Sequence, residues 1–499
     1  MAGRKETFSP FLRQCFVTGA VCCNIVGHGC TLGYPGILLP QLKYPGSAVT
    51  ITEAAESWLA AVTGILLLVG SFVAPPIMSR FGRKIVHLAL TAPSLVGWVI
   101  TILAVNFEML LIGRILQGLS FGMMVPVRSV LIGEYTSPKN RGAFLTLVAL
   151  AQAFGIFFVH LLGSLIDWQQ TALVCVFFPF FSLLMAIYAP ESPSWLASKR
   201  QYDKCRKVFK WLRGYDEDDE LEEMIHARIL IEKAANRENE RKENLFKQAI
   251  STIQKKEFYK PNLLMISAFC MIQFVGGTTM AAYSTVIIRL IVGPDANAHF
   301  WMIALDTQRL VSNAIAVFVI NKVNRRTMMF SSGSLCVLSH MAIAGYVYAR
   351  NKGILPYDAQ WIPLLLINVQ FFTVAVGMIP LPTIIAGEVF PLEYKAISST
   401  ISTWSLSVFM FLALMTFPSL TNNIGIEGTY FVYSGLITLN LVVIWFLMPE
   451  TKGRTLQQIE DEFRGRKLGG TDEKPTELDP VTLYRRRKSE RRCSSPLLH

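Results

Sequence analysis

The sequence predicts an all-α polytopic membrane protein, with twelve transmembrane helices in two six-helix halves and a helical insert on the cytoplasmic side. Three observations predict this fold class. Hydrophobic residues make up 52% of the 499 residues and charged residues only 16%, too few to cover several water-facing domains. The apolar residues form runs of about 20, the length at which a helix crosses a bilayer. Three short motifs of the first half recur in the second.

Twelve apolar runs are long enough to cross a membrane. We number them as spans 1 to 12, at residues 14–40, 56–78, 86–105, 109–133, 143–165, 171–190, 262–291, 297–320, 327–348, 361–388, 396–417 and 427–448. A polar stretch separates spans 6 and 7, and its composition predicts short amphipathic helices. The predicted units are an N-terminus (1–13), a first bundle (14–191), a linker (192–260), a second bundle (261–448) and a basic tail (449–499).

The basic residues set the predicted orientation. Lysine and arginine exceed the acidic residues by a net charge of +12. Many of them cluster after the even-numbered spans, on the same side as the linker and the tail. Under the positive-inside rule this side is cytoplasmic. We therefore expect both termini and the linker in the cytoplasm.

Three motifs occur twice, in the same order and at nearly constant offsets. The pairs are 81–84 with 323–326, 133–142 with 387–396, and 190–193 with 449–451. The repetition indicates two homologous halves of six spans each. An even number of spans gives both halves the same orientation in the membrane. Such parallel halves are suited to rocking about a cavity near the midplane.

The charged residues of these motifs lie at span ends on the predicted cytoplasmic face. The positive-inside rule accounts for the basic residues but requires no acids there. We therefore predict ion pairs that latch the cytoplasmic side shut. The predicted latch residues are Arg83, Glu134, Arg141, Glu191, Arg325, Glu388, Lys395 and Glu450. The alternative, favoured for the basic residues taken alone, is that they only anchor the spans and set the topology.

With these motifs the chain resembles the sugar porter family of the major facilitator superfamily, over about residues 14–460. Within that family it is most similar to insect facilitated trehalose transporters and animal facilitative glucose transporters. The resemblance implies a major facilitator fold and transport of trehalose or a hexose by alternating access. It also implies a plasma-membrane location and a monomer in the lipid bilayer. We expect no cofactor, no metal and no nucleic-acid partner.

The resemblance implies a sugar site on spans 7, 10 and 11. The family's Gln-Gln-Leu-Ser-Gly-Ile-Asn run corresponds to residues 272–278, where one Gln and the Gly remain. Each sugar hydroxyl left without a partner costs about 1–3 kcal/mol. The thinner set of amides therefore weakens the case for D-glucose unless other groups replace them, and leaves a disaccharide or another polyol open. The implied binding residues are Gln273, Thr278, Tyr283, Thr383, Thr403 and Trp404, with Trp404 stacking on the sugar ring.

Two arginines lie inside spans, Arg128 in span 4 and Arg309 in span 8. A charge at such depth faces a cavity or a partner, because exposure to lipid is costly. For Arg309 we favour an ion pair with Asp306, three residues earlier. We keep Arg309 as a candidate ligand for an acidic substrate. Arg128 has no partner nearby in the sequence, and its role stays open.

Span 1 carries no acid after the Gly33-Tyr34 pair, where proton-coupled sugar porters usually have one. We therefore predict facilitated diffusion, and we expect His28, His160 and His340 to be packed, hydrogen-bonded residues. Two alternatives remain: a carrier of an organic anion or other non-sugar solute, and a sugar sensor that transports nothing. The sequence contains no phosphate loop, nucleophile elbow or metal cluster that would indicate an enzyme.

Overall fold

A computed structural model describes residues 9–44, 49–214, 220–222, 224–225, 253–355, 359–391, 394–454 and 456–464. These residues form helices and their connections, without a strand. Eleven helices within them are long and apolar enough to cross a membrane. One of these contains two predicted spans, so all twelve spans are present. The predicted fold class is confirmed.

The helices of the first half extend beyond the apolar runs into polar ends. Spans 1, 2 and 4 begin after Ser9, Thr52 and Asn106, whose side chains accept a backbone N–H three residues later, as helix-capping residues do. Spans 1 to 5 are Pro10–Leu42, Glu53–Phe81, Arg83–Ile102, Phe107–Tyr135 and Pro138–Gly163, and span 6 is the pair Trp168–Cys175 and Phe177–Tyr188.

Several helices of the second half contain breaks or irregular turns. Span 7 is interrupted at Gly276, whose φ of +95° favours glycine. Span 10 contains a π-helical turn, Val374–Met378. Spans 11 and 12 form one 53-residue helix broken at Gly425, where φ is +76°. The bounds are Lys256–Phe274 and Gly277–Val292 for span 7, Ala298–Lys322 for span 8, Arg325–Asn351 for span 9, Trp361–Thr373 and Pro380–Val389 for span 10, and Lys395–Leu447 for spans 11 and 12.

Short helices follow both halves. Pro193–Ser198 and Tyr202–Arg213 lie after span 6, in the stretch predicted to form amphipathic helices. Arg213 Nη2 donates to the carbonyl oxygen of Thr136, which attaches the second of these helices to the end of span 4. Leu456–Arg464 follows span 12. The rest of the predicted basic tail lies outside the described residues.

We call the side on which spans 2, 4 and 6 end the motif face, because it carries the repeated motifs, and the other side the opposite face. Within the first half, glycines bring helix backbones together. A Cβ on Gly155 of span 5 would lie 2.2 Å from the carbonyl oxygen of Val26 in span 1, and one on Gly29 would lie 2.3 Å from that of Gln152. These spans therefore pack backbone against backbone.

In the described part of the chain, three pairs of spans make the main contacts between the two halves. Span 1 meets span 7 where Thr285 Oγ1 donates to the carbonyl oxygen of Gly36. Span 2 meets span 11 where Ser407 Oγ donates to the carbonyl oxygen of Gly64, 2.5 Å away. Span 5 meets span 8 through a contact described below. These polar contacts lie near the opposite face or at mid-length, so the halves are closed on that side.

Candidate transport site and motif clusters

The first-half motif cluster joins the ends of spans 2, 4 and 6. Arg83 contacts both carboxylate oxygens of Glu134, with Nη2 to Oε1 at 2.6 Å and Nε to Oε2 at 2.8 Å. Ser192 Oγ also donates to Glu134. Glu191 accepts the backbone N–H of Arg83 at 2.8 Å and that of Lys84 at 3.2 Å. Its carboxylate therefore caps the positive end of span 3.

The second-half motif cluster repeats this arrangement residue for residue. Arg325 Nη2 lies 3.4 Å from Glu388 Oε1, and Thr451 Oγ1 donates to Glu388 Oε2 at 2.5 Å. Glu450 accepts the backbone N–H groups of Arg325 and Arg326, both at 3.0 Å. The repeat found in the sequence is therefore also a repeat in geometry.

The pKa of Glu450 is lowered by its surroundings. Burial alone raises it, but hydrogen bonds from the backbone N–H groups of Lys452, Arg326, Arg325 and Thr451 outweigh burial. Four N–H groups around one carboxylate favour its charged form. At neutral pH Glu450 is therefore an ionised cap on span 9.

The predicted latch residues pair within each half, not between the halves. Arg83 and Glu134 belong to the first half, and Arg325 and Glu388 to the second. Arg141 Nη2 donates to the carbonyl oxygen of Gly133, also in its own half. Within the described ranges Lys395 has no hydrogen bond or ion pair. A latch that closes the motif face is therefore not formed in this conformation.

The break in span 7 brings two of the predicted binding residues together. Thr278 Oγ1 donates to Gln273 Oε1 at 2.9 Å, across the irregular backbone at Gly276. Gln370 of span 10 supports this break, since its Nε2 donates to the carbonyl oxygen of Val275 at 3.3 Å. Gln370 also contacts His340 Nε2 at 3.2 Å. Gln370 was not among the predicted binding residues, although a glutamine within an apolar span is a visible signal.

Tyr283 is turned away from this pair. Its hydroxyl donates to the carbonyl oxygen of Leu414 at 3.1 Å, and its ring stacks on Phe417 with centroids 5.0 Å apart. The side chain is 2% exposed. Tyr283 therefore binds span 7 to span 11 in this conformation.

The remaining predicted binding residues lie on spans 10 and 11. Thr383 and Thr403 each donate to a carbonyl oxygen of their own helix. Trp404 packs on Phe72 of span 2, with ring centroids 4.3 Å apart. The indole Nε1 of Trp404 is buried without a hydrogen-bond partner among the described residues. Trp404 thus holds the two halves together and retains one unused donor.

The predicted ion pair between Arg309 and Asp306 is wrong. Asp306 Oδ2 lies 2.5 Å from His160 Nδ1 of span 5 instead, and Arg309 has no hydrogen bond or ion pair within the described residues. The three-residue spacing on span 8 favoured Arg309 as the partner of Asp306, and the sequence does not show which residue of another span faces Asp306. The carboxylate instead contacts a buried histidine of the other half, and both side chains are less than a tenth exposed.

Arg128, whose role the sequence leaves open, has a partner on span 5. Its Nη1 lies 3.4 Å from Gln152 Oε1 of span 5. His28 of span 1 lies on Phe121 of span 4, with centroids 5.3 Å apart, and both its ring nitrogens are buried without a partner in the described part of the chain. Polar groups of spans 1, 4 and 5 thus lie inside the first half.

Solved structures share this fold. The inward-open conformation of the xylose transporter XylE from E. coli superposes with a TM-score of 0.69 at 15% identity, covering 91% of this chain and 100% of that one. The proton:xylose symporter XylE bound to 6-bromo-6-deoxy-D-glucose gives a TM-score of 0.66 at 16% identity, covering 91% and 99%. The described helices therefore have the fold of these XylE structures.

The family can be stated more closely. The profile of the family described as "Sugar (and other) transporter" matches residues 28–463. The chain belongs to this family.

Curated relatives are facilitated trehalose transporters named Tret1. The protein of Aedes aegypti is 27% identical over 421 residues, which are 83% of this chain and 50% of that protein. The protein of Culex quinquefasciatus is 26% identical over 83% of this chain and 79% of its own length. The protein of Bombyx mori is 26% identical over 90% of this chain and 86% of its own length. The chain thus spans half the length of the Aedes relative and most of the other two.

Proposed function

We propose that this protein carries a sugar, trehalose or a hexose, across the membrane by facilitated diffusion with alternating access. The observation that carries the proposal is the packing of the two halves. They meet near the opposite face and at mid-length, while the ion pairs of the motif face stay within each half. A family match to sugar transporters over residues 28–463 supports a sugar as the solute.

The proposed sugar site is at mid-membrane, between the break of span 7 and spans 10 and 11. Gln273 and Thr278 form one hydrogen-bonded unit that can exchange its internal bond for a sugar hydroxyl. The unused indole N–H of Trp404 supplies a further donor. Thr383 and Thr403 add hydroxyl groups on the facing spans. Tyr283 joins the site when the contact with span 11 loosens, and Arg309 borders it from span 8.

We propose that the two motif clusters form the cytoplasmic latch in the other conformation. Glu134 and Glu388 are held by arginines of their own halves here. In the conformation closed at the motif face, we propose that these ion pairs and the ammonium group of Lys395 bring the helix ends of the two halves together. The motif face is then cytoplasmic, both termini lie in the cytoplasm, and the protein is a plasma-membrane monomer.

Counterflow in liposomes of purified protein tests the proposal. We expect labelled trehalose or glucose to exchange against the unlabelled sugar, and an imposed proton gradient to cause no accumulation. Thr278→Val should raise the KM about tenfold, because one sugar hydroxyl bond is worth about 1–2 kcal/mol. Thr307→Val is the matched control, since Thr307 is exposed and bonds only to its own helix.

Three results would contradict parts of this proposal. Absence of counterflow for both sugars would contradict sugar transport and favour the sensor alternative. Accumulation of sugar driven by protons would contradict facilitated diffusion. Exchange of acidic solutes that is lost in Arg309→Gln would favour the organic-anion alternative, which the family match does not support.

A further inference from the structure

The contact between His160 and Asp306 joins the two halves near the opposite face. His160 is on span 5, close to its end, and Asp306 is on span 8, close to its start. Their side chains are 1% and 8% exposed. An ionisable pair buried at the interface of two moving bodies is made and broken with their motion. Its protonation is therefore tied to the conformation.

The partners of the imidazole fix the positions of its protons. Nε2 lies 3.0 Å from the carbonyl oxygen of Gly33 and 3.1 Å from that of Ala281. A carbonyl oxygen only accepts hydrogen bonds, so Nε2 carries a hydrogen. Nδ1 lies 2.5 Å from Asp306 Oδ2. With neutral imidazole and ionised carboxylate, two lone pairs would face each other there. The contact therefore holds a second proton, on Nδ1 or on the carboxyl group.

Several other titratable or charged groups lie on the elements packed against this pair. Arg309 lies one turn further along span 8. His299, at the start of span 8, and Arg289 of span 7 are further titratable groups on these elements. The hydroxyl of Ser284 in span 7 is buried beside Gly36 of span 1. Arg128 of span 4 is two turns away, at Gln152, and Tyr283 of span 7 faces span 11.

We propose that His160 and Asp306 form a proton-binding site that exists only while the halves are closed at the opposite face. Opening that face exposes both groups to water. A solvated imidazole titrates at about pH 6.5 and a carboxyl group at about pH 3.9, so near pH 7.4 the separated pair releases its proton. The proton leaves on the side from which it entered. It does not cross the membrane, and solute transport stays downhill.

The site makes the equilibrium between the closed and open conformations depend on the pH at the opposite face. This inference rests on the proposed alternating access. One proton bound by the closed form alone changes the closed-to-open ratio by up to about tenfold per pH unit. Acid favours the closed form. Below about pH 6 the dependence levels off, because the separated imidazole is then protonated as well.

Thiol labelling of the full-length protein in liposomes tests this site without a solute. Ser284→Cys places a thiol in the closed interface, where residue 284 is 3% exposed. A membrane-impermeant maleimide is added to the opposite-face side between pH 6 and 8.5. Lys352→Cys, at an exposed position after span 9, gives the intrinsic pH dependence of the reagent. The unmodified chain gives the background from native cysteines.

We expect the normalised labelling rate at residue 284 to rise with pH, by up to about tenfold per unit. Asp306→Asn should abolish this rise, because an amide N–H donates to Nδ1 of a neutral imidazole without a bound proton. His160→Gln is the second variant and should also abolish it. His340→Gln, a buried histidine that contacts only its own half, should keep the full rise.

A flat labelling profile in the protein with both native groups would overturn the proton site, as would a rise that survives in both Asp306→Asn and His160→Gln. These outcomes are distinct from a failure of the proposed function. A flat profile with normal sugar counterflow rejects the proton site alone. A pH-dependent profile without any counterflow rejects sugar transport alone and keeps the proton site.

Discussion

The two motif clusters have the same layout but differ in how tightly they are held. In the first half Arg83 contacts both oxygens of Glu134, at 2.6 and 2.8 Å. In the second half the corresponding contact from Arg325 to Glu388 is a single one, at 3.4 Å. Side-chain exposure follows the same order, at 16% for Glu134 and 29% for Glu388. The first-half cluster is the more firmly closed of the two.

The turn before each cluster differs as well. Gly82 precedes span 3 with φ at +105°, and a Cβ there would lie 2.2 Å from Glu191 Oε2. Asn324 precedes span 9 with φ at −66°, a conformation open to any residue. The first half therefore depends on a glycine and the second does not. The two repeats are therefore expected to tolerate different substitutions at this turn.

The largest difference is expected from the turn residues. Gly82→Ala forces a side chain into a strained backbone and against a carboxylate, at a cost of about 2–4 kcal/mol of stability. Asn324→Ala should cost less than about 0.5 kcal/mol, because Asn324 is exposed and caps nothing with its side chain. Thermal unfolding of the purified protein in detergent measures both. Equal losses for the two variants would contradict the comparison.

A smaller difference is expected from the acids. Glu134→Gln removes the charge from a two-point contact and should cost about 2–3 kcal/mol. Glu388→Gln breaks one longer contact and should cost about 1 kcal/mol or less. The same unfolding measurement applies, and 1 M salt serves as control, because screening reduces the more exposed pair further. A larger loss for Glu388→Gln would reverse the proposed order.

The smallest effect is a pH dependence at Glu450. Its pKa is lower in the folded protein than the ordinary value of 4.5. A lowered pKa contributes stability that is present above the ordinary value and is lost as the pH falls through the folded-state pKa. The stability difference between the native chain and Glu450→Gln should therefore shrink between pH 6 and 3. A difference that stays constant over this range would exclude the backbone N–H groups as its cause.

Features that repeat along the sequence were predictable, and features made by contact between distant spans were not. Hydropathy and the three repeated motifs predicted the membrane fold and the positions of Arg83 and Arg325. The lipid environment forces apolar runs into helices, so these inferences needed no tertiary information. The partner of Asp306 depended on which helix faces it, which local spacing does not contain. The missed role of Gln370 has the same cause, since it supports a break in another span.

The glycine contacts of spans 1 and 5 have a mechanical consequence. Where Gly29 and Gly155 let two main chains touch, no intervening layer of side chains can slide or change rotamer. Those helices cannot rotate against each other without steric overlap, so they move as one rigid unit. A displacement at one end of this helix pair is therefore transmitted to its other end. The irregular backbone at Gly276 and in span 10 provides the points at which the second half can bend.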